Sequence, residues 1–210
     1  GRRRAWAYLA LEAAGWVLWA ERRSAGADLV RQYRDFAWER GRIQAGPRVD
    51  GDFDYYETLT QWTRSGAFDV DASASGIQPE TDPSTYNGMI WERAVALFLP
   101  GGPSTPPGDP AYQRALAYYG TRGYGSDFLW DWSGSGDAQR SFAEILTRSD
   151  DRYRQATNVL GAIFANHLVS SIDAYLSARG VATPSEVRVV PVREGPTTRW
   201  QATVRLAVGR

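Results

Sequence analysis

Two apolar helical segments, residues 5–20 and 156–178, stand on either side of a long polar middle that is rich in aromatic residues. The first segment contains a single charged residue, Glu12, and is followed by arginines at positions 22 and 23, with three more at positions 2–4. Tryptophan and tyrosine near the ends of an apolar run, with arginines just beyond, are typical of a helix in a membrane or at its surface. The pattern predicts that both segments associate with a membrane.

Segment length and internal polar residues leave a second interpretation open. The first run is shorter than the roughly 20 residues that span a bilayer. In the second segment Asn166, Ser170 and Asp173 follow each other at helical spacing, which places them on one face. We expect Glu12 to face this stripe, so that the four residues form a polar seam pairing the two helices. The alternative is a soluble helical core that holds the same buried seam.

Composition limits the classes of partner. The chain has 210 residues, enough for one large domain or two small ones, and a formal net charge of zero. A neutral chain has no net field that favours nucleic acid, so no nucleic-acid partner is expected. The absence of cysteine excludes a disulfide framework and thiolate chemistry.

Helical spacing and loop signals predict a mainly α fold with long helices and a C-terminal β hairpin. We expect an apolar helix in residues 1–26, a polar helical region over 27–155, a second apolar helix over 156–179 and a hairpin tail over 180–210. The first helix should continue to residue 38, shorter helices should cover 55–63, 89–98 and 111–119, and one long helix should cover 137–178. The pair Ser84-Thr85 and the residue Asp109 are predicted to begin two of the shorter helices.

Alternating apolar residues in the tail predict two strands, with a turn at residues 194–198 between them. The apolar positions of the pattern are Val187, Val189, Ala202, Val204, Leu206 and Val208. An isolated two-stranded hairpin is barely stable. The tail is therefore expected to pack on the helices or to join a sheet of another chain.

The middle of the chain carries tryptophans that suit an interface, where one end of the ring is dry and the other wet. Trp62, Trp91, Trp130 and Trp132 are the hypothetical partner-binding residues, and a tryptophan-rich core is the alternative. Carboxylates lie near these rings in sequence, namely Glu57, Glu92, Asp127 and Asp131. Rings with paired carboxylates also suit a protein that binds or cleaves sugars.

Other chemical signals are weak. His167, the single histidine, stands one turn before Ser171, but a hydrolase serine requires a sharp turn and the G-x-S-x-G pattern does not occur. A hydrogen-bonded helix position is the default for His167, and an axial cofactor ligand is the alternative. Asp50, Asp52 and Asp54 begin like a calcium loop whose remaining positions fail. We predict no catalytic residue, no metal and no cofactor.

Three stretches resemble a known family. The first is residues 6–19, and the third is residues 166–175. The second combines two motifs, Asp35-Phe36-Ala37-x-x-Arg40 and Phe53-x-Tyr55-Tyr56-Glu57. They resemble an uncharacterised family of bacterial cell-envelope proteins, a domain of unknown function. In that family a signal peptide and a P-G-x-G-Q-type segment precede the first helix, and an N-H-x-x-S-x-I-D-A-type helix comes late, before a short β tail. The resemblance implies an envelope location and no known catalytic residues.

These observations predict a non-catalytic structural or accessory subunit of a bacterial membrane or cell-envelope complex. Its expected partners are other protein subunits and the lipid bilayer or its surface. The alternative function is a soluble protein that binds or cleaves carbohydrate with the loop Trp130-Asp131-Trp132.

Overall fold

The computed structural model is mainly helical, which confirms the predicted fold class at this level. It describes residues 2–102, 104–179, 186–194 and 197–205. The helices are α1 (Arg2–Arg40), α2 (Phe53–Gln61), α3 (Tyr86–Phe98), α4 (Pro110–Arg122) and α5 (Gly136–Ala178), with a short 3-10 turn at Ser126–Phe128; the strands are β1 (Glu186–Glu194) and β2 (Thr197–Arg205).

The chain divides into two compact units. The arm unit contains Gly1–Asp28 and Ser149–Arg210, and the middle unit contains Leu29–Arg148. Each of the two long helices, α1 and α5, therefore contributes about two thirds of its length to the arm unit and the rest to the middle unit.

Side-chain caps explain where the shorter helices begin. Asp52 accepts a hydrogen bond from the backbone N–H of Tyr55 at 2.9 Å and caps α2. Thr85 caps α3 by accepting from the N–H of Gly88, and Asp109 caps α4 by accepting from the N–H of Ala111. Each cap satisfies an amide that the first helical turn leaves without a partner. The predicted start at Asp109 is confirmed, and of the predicted pair Ser84-Thr85 it is Thr85 that caps the helix.

Three short extended segments cross the middle unit. The central one, residues 129–132, pairs on one side with residues 41–43 and on the other with residues 63–65, through the bridges Arg42↔Trp130 and Arg64↔Asp131. The N–H of Ser65 donates to the carbonyl of Trp130 at 2.9 Å, and the N–H of Asp131 donates to the carbonyl of Gly41 at 2.8 Å. The sequence predicted a loop here, whereas pairing on both sides makes the segment part of the interior.

Aromatic rings dominate the core of the middle unit. In one cluster Tyr55 makes edge-to-face contacts with Tyr56, Phe128 and Trp130. A second cluster joins α3 and α4, where Trp91 packs edge-on against Tyr119. Such ring pairs add stability beyond the area that they bury.

The strands β1 and β2 pair antiparallel, from Glu186 opposite Arg205 to Glu194 opposite Thr197. The predicted turn at Gly195 and Pro196 lies outside the described residues, as do Leu206 and Val208. The two strands are therefore shown, and the hairpin that would join them stays a prediction.

The prediction of two membrane segments is only partly supported. Within the described residues α5 is the one helix that is long and apolar enough to cross a membrane by length and composition, and 6% of its most apolar 18-residue stretch is buried. The first apolar run, residues 5–20, does not meet this criterion.

Candidate functional site

The candidate site is an antiparallel helix pair in the arm unit. Residues 4–28 of α1 lie along residues 149–179, and we call this pair the helical arm. Near one end Arg4 Nη1 lies 3.4 Å from Asp173 Oδ1. At the other end the hydroxyl of Ser149 donates to the carbonyl of Gly26 at 3.3 Å. Contacts thus pair low numbers in α1 with high numbers in α5, as an antiparallel arrangement requires.

Two glycines let the helices approach closely. A Cβ atom on Gly15 would lie 2.7 Å from Cγ1 of Ile163, closer than side-chain carbons pack. A Cβ atom on Gly26 would lie 3.1 Å from the ring of Tyr153. Because glycine removes this obstacle, Ile163 is buried to 5% exposure in an otherwise open region.

The predicted polar seam lies between the helices, but its pairing differs from the expectation. Glu12 Oε1 is 3.3 Å from Nε2 of His167 rather than bonded to Asn166, Ser170 or Asp173. The Nδ2 of Asn166 instead donates to the carbonyl of Tyr8 at 3.1 Å. The side-chain partner of Glu12 is therefore His167, which follows Asn166 by about 100° around the helix.

The remaining members of the stripe have other partners. Asp173 pairs with Arg4, and the hydroxyl of Ser170 donates within its own helix to the carbonyl of His167 at 3.0 Å. Glu12, Ser170 and Asp173 nevertheless line one groove of about 390 Å³ between the helices. We call it the acidic groove; the rest of its lining is Ala5, Tyr8, Leu9, Ala174 and Ser177.

A second groove opens between the same helices and is almost entirely apolar. It has a volume of about 490 Å³, and we call it the apolar groove. It is lined by Tyr8, Leu11, Gly15, Leu18, Val159, Ala162, Ile163, Ala165, Asn166 and Val169. None of these side chains carries a charge.

The outer surface of the arm is unusually apolar. On α1 the exposed side chains include Trp6 at 69% and Val17 at 70% exposure; on α5 they include Phe164 at 66%. The other exposed large apolar residues of the arm are Leu9, Leu11, Trp16, Leu18, Leu160, Leu168, Ile172 and Tyr175. A concentration of exposed apolar residues of this kind is typical of a surface that associates with protein or membrane.

Arginines stack on aromatic rings at opposite ends of the arm. The guanidinium of Arg23 lies 5.8 Å from the ring centre of Trp19, and that of Arg179 lies 4.8 Å from the ring centre of Tyr175. Because the helices are antiparallel, these two pairs bracket the apolar surface. A cation over an aromatic face is attracted by the ring quadrupole.

The predicted tryptophan surface is wrong, because its rings belong to the core of the middle unit. Trp130 and Trp132 are fully buried, and Trp91 is 6% exposed. Trp62 is half-buried against the same core, and its carbonyl accepts a hydrogen bond from the indole N–H of Trp130 at 2.9 Å. A buried ring offers no surface to a partner or to a sugar.

The acidic residues that resembled a calcium loop have structural partners. Asp52 caps α2, and Asp50 accepts from Nε of Arg48 at 2.8 Å. Among the described residues no group of three or more His, Cys, Asp or Glu side chains is placed to hold a metal ion.

Two carboxylate residues near the predicted sugar loop also make structural hydrogen bonds. The side chain of Asp131 accepts from the backbone N–H of Ser133 at 2.7 Å. The backbone carbonyl of Asp127 accepts from the guanidinium of Arg42.

Comparisons with known proteins add no relative: no family model matches the chain, and neither a curated protein nor a solved structure matches it significantly.

Proposed function

We propose that the protein is a non-catalytic accessory protein of the bacterial cell envelope that attaches to a membrane through its helical arm. The observation that carries this proposal is the exposed apolar surface of the arm. Eleven large apolar side chains are exposed there, against five in the middle unit, among the residues that the structure describes. Exposure of this surface to water costs free energy, whereas contact with lipid acyl chains removes that cost.

The length of the arm fits a bilayer. The helix α5 is long enough to cross. In α1 the residues Arg4 and Arg22 are about 27 Å apart along the helix, close to the roughly 30 Å of a hydrocarbon core. Arginine side chains at both ends can extend to the headgroups and make up the difference. The proposed position therefore has α1 packed beside α5, with both helices in the membrane.

The ionisable residues of the arm also fit. In a bilayer such residues turn toward neighbouring helices and pair with one another. Glu12 is paired with His167 and Asp173 with Arg4, so each pair joins α1 to α5. The stacked pairs Arg23–Trp19 and Arg179–Tyr175 match the aromatic and basic residues of the two membrane interfaces.

The envelope location and the non-catalytic role rest on the resemblance given above, which supports the location more than the role. The carbohydrate alternative loses its main support because Trp130 and Trp132 lie in the core. No contact of the described residues favours it over membrane attachment.

Flotation with lipid vesicles tests the proposal. The purified full chain is mixed with vesicles of phosphatidylethanolamine and phosphatidylglycerol and centrifuged through a sucrose gradient. We expect the wild type to float and the triple variant Trp6→Gln, Leu9→Gln, Val17→Gln to stay at the bottom. The matched control, Ile43→Gln, Val70→Gln, Leu97→Gln, removes exposed apolar residues of the middle unit and should float. Equal behaviour of the two variants would reject the arm as the attachment site.

A further inference from the structure

One face of the helical arm carries an acid and a base side by side. The side chain of Glu12 is 30% exposed and that of His167 is 51% exposed, although the two lie 3.3 Å apart. Large apolar residues around them are open as well: Leu9, Trp16, Leu160 and Phe164 are between 37% and 66% exposed. This face, which contains the acidic groove, is called the Glu12 face below.

The Glu12 face is unfavourable as an outer surface in either solvent. In lipid, exposure of the ionisable pair costs free energy. In water, exposure of the surrounding apolar residues costs free energy. A covering surface must therefore be mainly apolar, and it must also present a hydrogen-bond donor and an acceptor at the middle of the arm. A lipid acyl chain supplies neither of these polar groups.

We infer that a second copy of this chain covers the Glu12 face. The face is complementary to itself in charge. When two copies meet about a two-fold axis parallel to the arm, Glu12 of one copy approaches His167 of the other. The reverse contact forms at the same height. A two-fold interface needs such a self-complementary patch. The small residues Ala5 and Ala174, which line the acidic groove, allow the helices of the two copies to approach.

The apolar groove on the other side of the arm lacks this property. Its lining contains no charged side chain, so nothing there selects a second copy over lipid. The inference goes beyond membrane attachment and does not depend on it, because the same interface would also cover the apolar residues in water.

Cysteine cross-linking tests the inference, since the chain contains no cysteine. Ala174 lies in the acidic groove and Ala162 in the apolar groove of the same helix, and both are exposed. The variants Ala174→Cys and Ala162→Cys are purified as full chains in mild detergent and oxidised. A covalent dimer of Ala174→Cys, with little dimer of Ala162→Cys, is the expected result. Equal cross-linking of the two variants, or none at Ala174→Cys, would overturn the inference.

Charge variants give an independent measurement. Glu12→Gln and His167→Gln should each raise the dissociation constant of the dimer about tenfold in sedimentation equilibrium, because each removes both symmetric contacts. The exchange variant Glu12→His, His167→Glu keeps an acid beside a base and should restore dimerisation. Helicity by circular dichroism verifies that each variant folds. Unchanged dissociation constants in both single variants would contradict the inference.

The two proposals fail in different ways. A chain that floats with vesicles but remains a monomer of 23.3 kDa retains membrane attachment and loses the dimer. A chain that forms the Ala174→Cys dimer but does not float retains the dimer and loses membrane attachment.

Discussion

The imidazole Nε2 of His167 lies 3.3 Å from the carboxylate Oε1 of Glu12, near the middle of the helical arm. His167 is the single histidine of the chain, and Glu12 is the single charged residue of the run from 5 to 20. Their contact joins the N-terminal part of α1 to the C-terminal part of α5. This contact and the pair Arg4–Asp173 show the antiparallel register in which the two segments lie.

Gly15 should be essential for the pairing of α1 with α5. A Cβ atom there would lie 2.7 Å from Ile163 Cγ1, so Gly15→Val should destabilise the arm by about 1–3 kcal/mol, the usual cost of overpacking. Thermal unfolding in detergent, followed by circular dichroism at 222 nm, measures the change. The neighbouring variant Ala14→Val adds the same side chain at an exposed position and should have little effect. An equal loss of stability in both variants would indicate that the lower helix propensity of valine, and not packing against Ile163, causes the loss.

Trp130 should contribute to stability rather than to partner binding. Its ring is fully buried and its indole N–H donates to the carbonyl of Trp62. Trp130→Ala should therefore lower the free energy of unfolding by about 3–5 kcal/mol in urea denaturation. Trp16→Ala, at a ring that is 45% exposed, should leave the unfolding of the middle unit unchanged. A stable Trp130→Ala protein would contradict the buried position.

Two helical glycines of the middle unit should respond in opposite directions to alanine. A Cβ atom on Gly88 would lie 1.9 Å from the backbone carbonyl of Asp82, whereas one on Gly120 would meet nothing within 4 Å. Gly88→Ala should cost about 1–3 kcal/mol because backbone must move. Gly120→Ala should stabilise by roughly 0.5–1 kcal/mol, the gain of alanine over glycine in a helix. Urea denaturation measures the free energy of unfolding of both variants. Changes of the same sign in the two variants would contradict the close packing around Gly88.

Alkaline pH should unfold the middle unit. Burial, reinforced by neighbouring tyrosines, raises the pKa of Tyr86 to about 12, and burial raises the pKa of Tyr119 to about 12. Because both values lie above the ordinary tyrosine pKa of about 10, the neutral phenols stabilise the fold below pH 10, and this contribution is lost as the pH rises through 12. Near-ultraviolet circular dichroism should show the loss between pH 10 and 12.

Tyr86→Phe provides the control for the alkaline transition. It removes one titrating phenol and only a 3.3 Å hydrogen bond to the carbonyl of Arg122. The midpoint of the transition should therefore move to higher pH in this variant. A midpoint that stays in place would show that ionisation of Tyr86 does not contribute.

Local signals in the sequence predicted the helices well. The caps at Thr85 and Asp109 act within one helical turn, so nearby residues determine them. Helical spacing also placed Asn166, Ser170 and Asp173 on one face of the second segment, because it determines which residues share a face. What spacing does not determine is the rotation of one helix against another. For this reason the partner of Glu12 was His167 rather than the stripe.

The burial of the tryptophans in the middle unit could not be predicted from the sequence. Glycines around residues 123–132 indicated a loop, and aromatic residues in a loop suggest a surface. The segment is instead held on both sides by residues 41–43 and 63–65, which come from distant parts of the chain. One signal was present in the sequence: Gly41 ends α1, and a Cβ atom there would lie 2.4 Å from the ring of Trp132. The need for a glycine at that point follows only from the tertiary contact.

Membrane insertion of the helical arm is the central claim, and the accessibility of a cysteine at position 13 tests it most directly. Ala13 is exposed near the middle of the apolar run of α1, on the side of the helix opposite Gly15, which faces α5. The chain has no other cysteine, so Ala13→Cys can be labelled alone with a membrane-impermeant maleimide in sealed vesicles. Gly108→Cys, in a loop of the middle unit, is the matched control, and labelling in sodium dodecyl sulfate gives the full signal for both. With the reagent present on both sides of the vesicle membrane, we predict that Ala13→Cys is protected from labelling and that Gly108→Cys is labelled. Labelling of Ala13→Cys as fast as Gly108→Cys would contradict insertion of the arm.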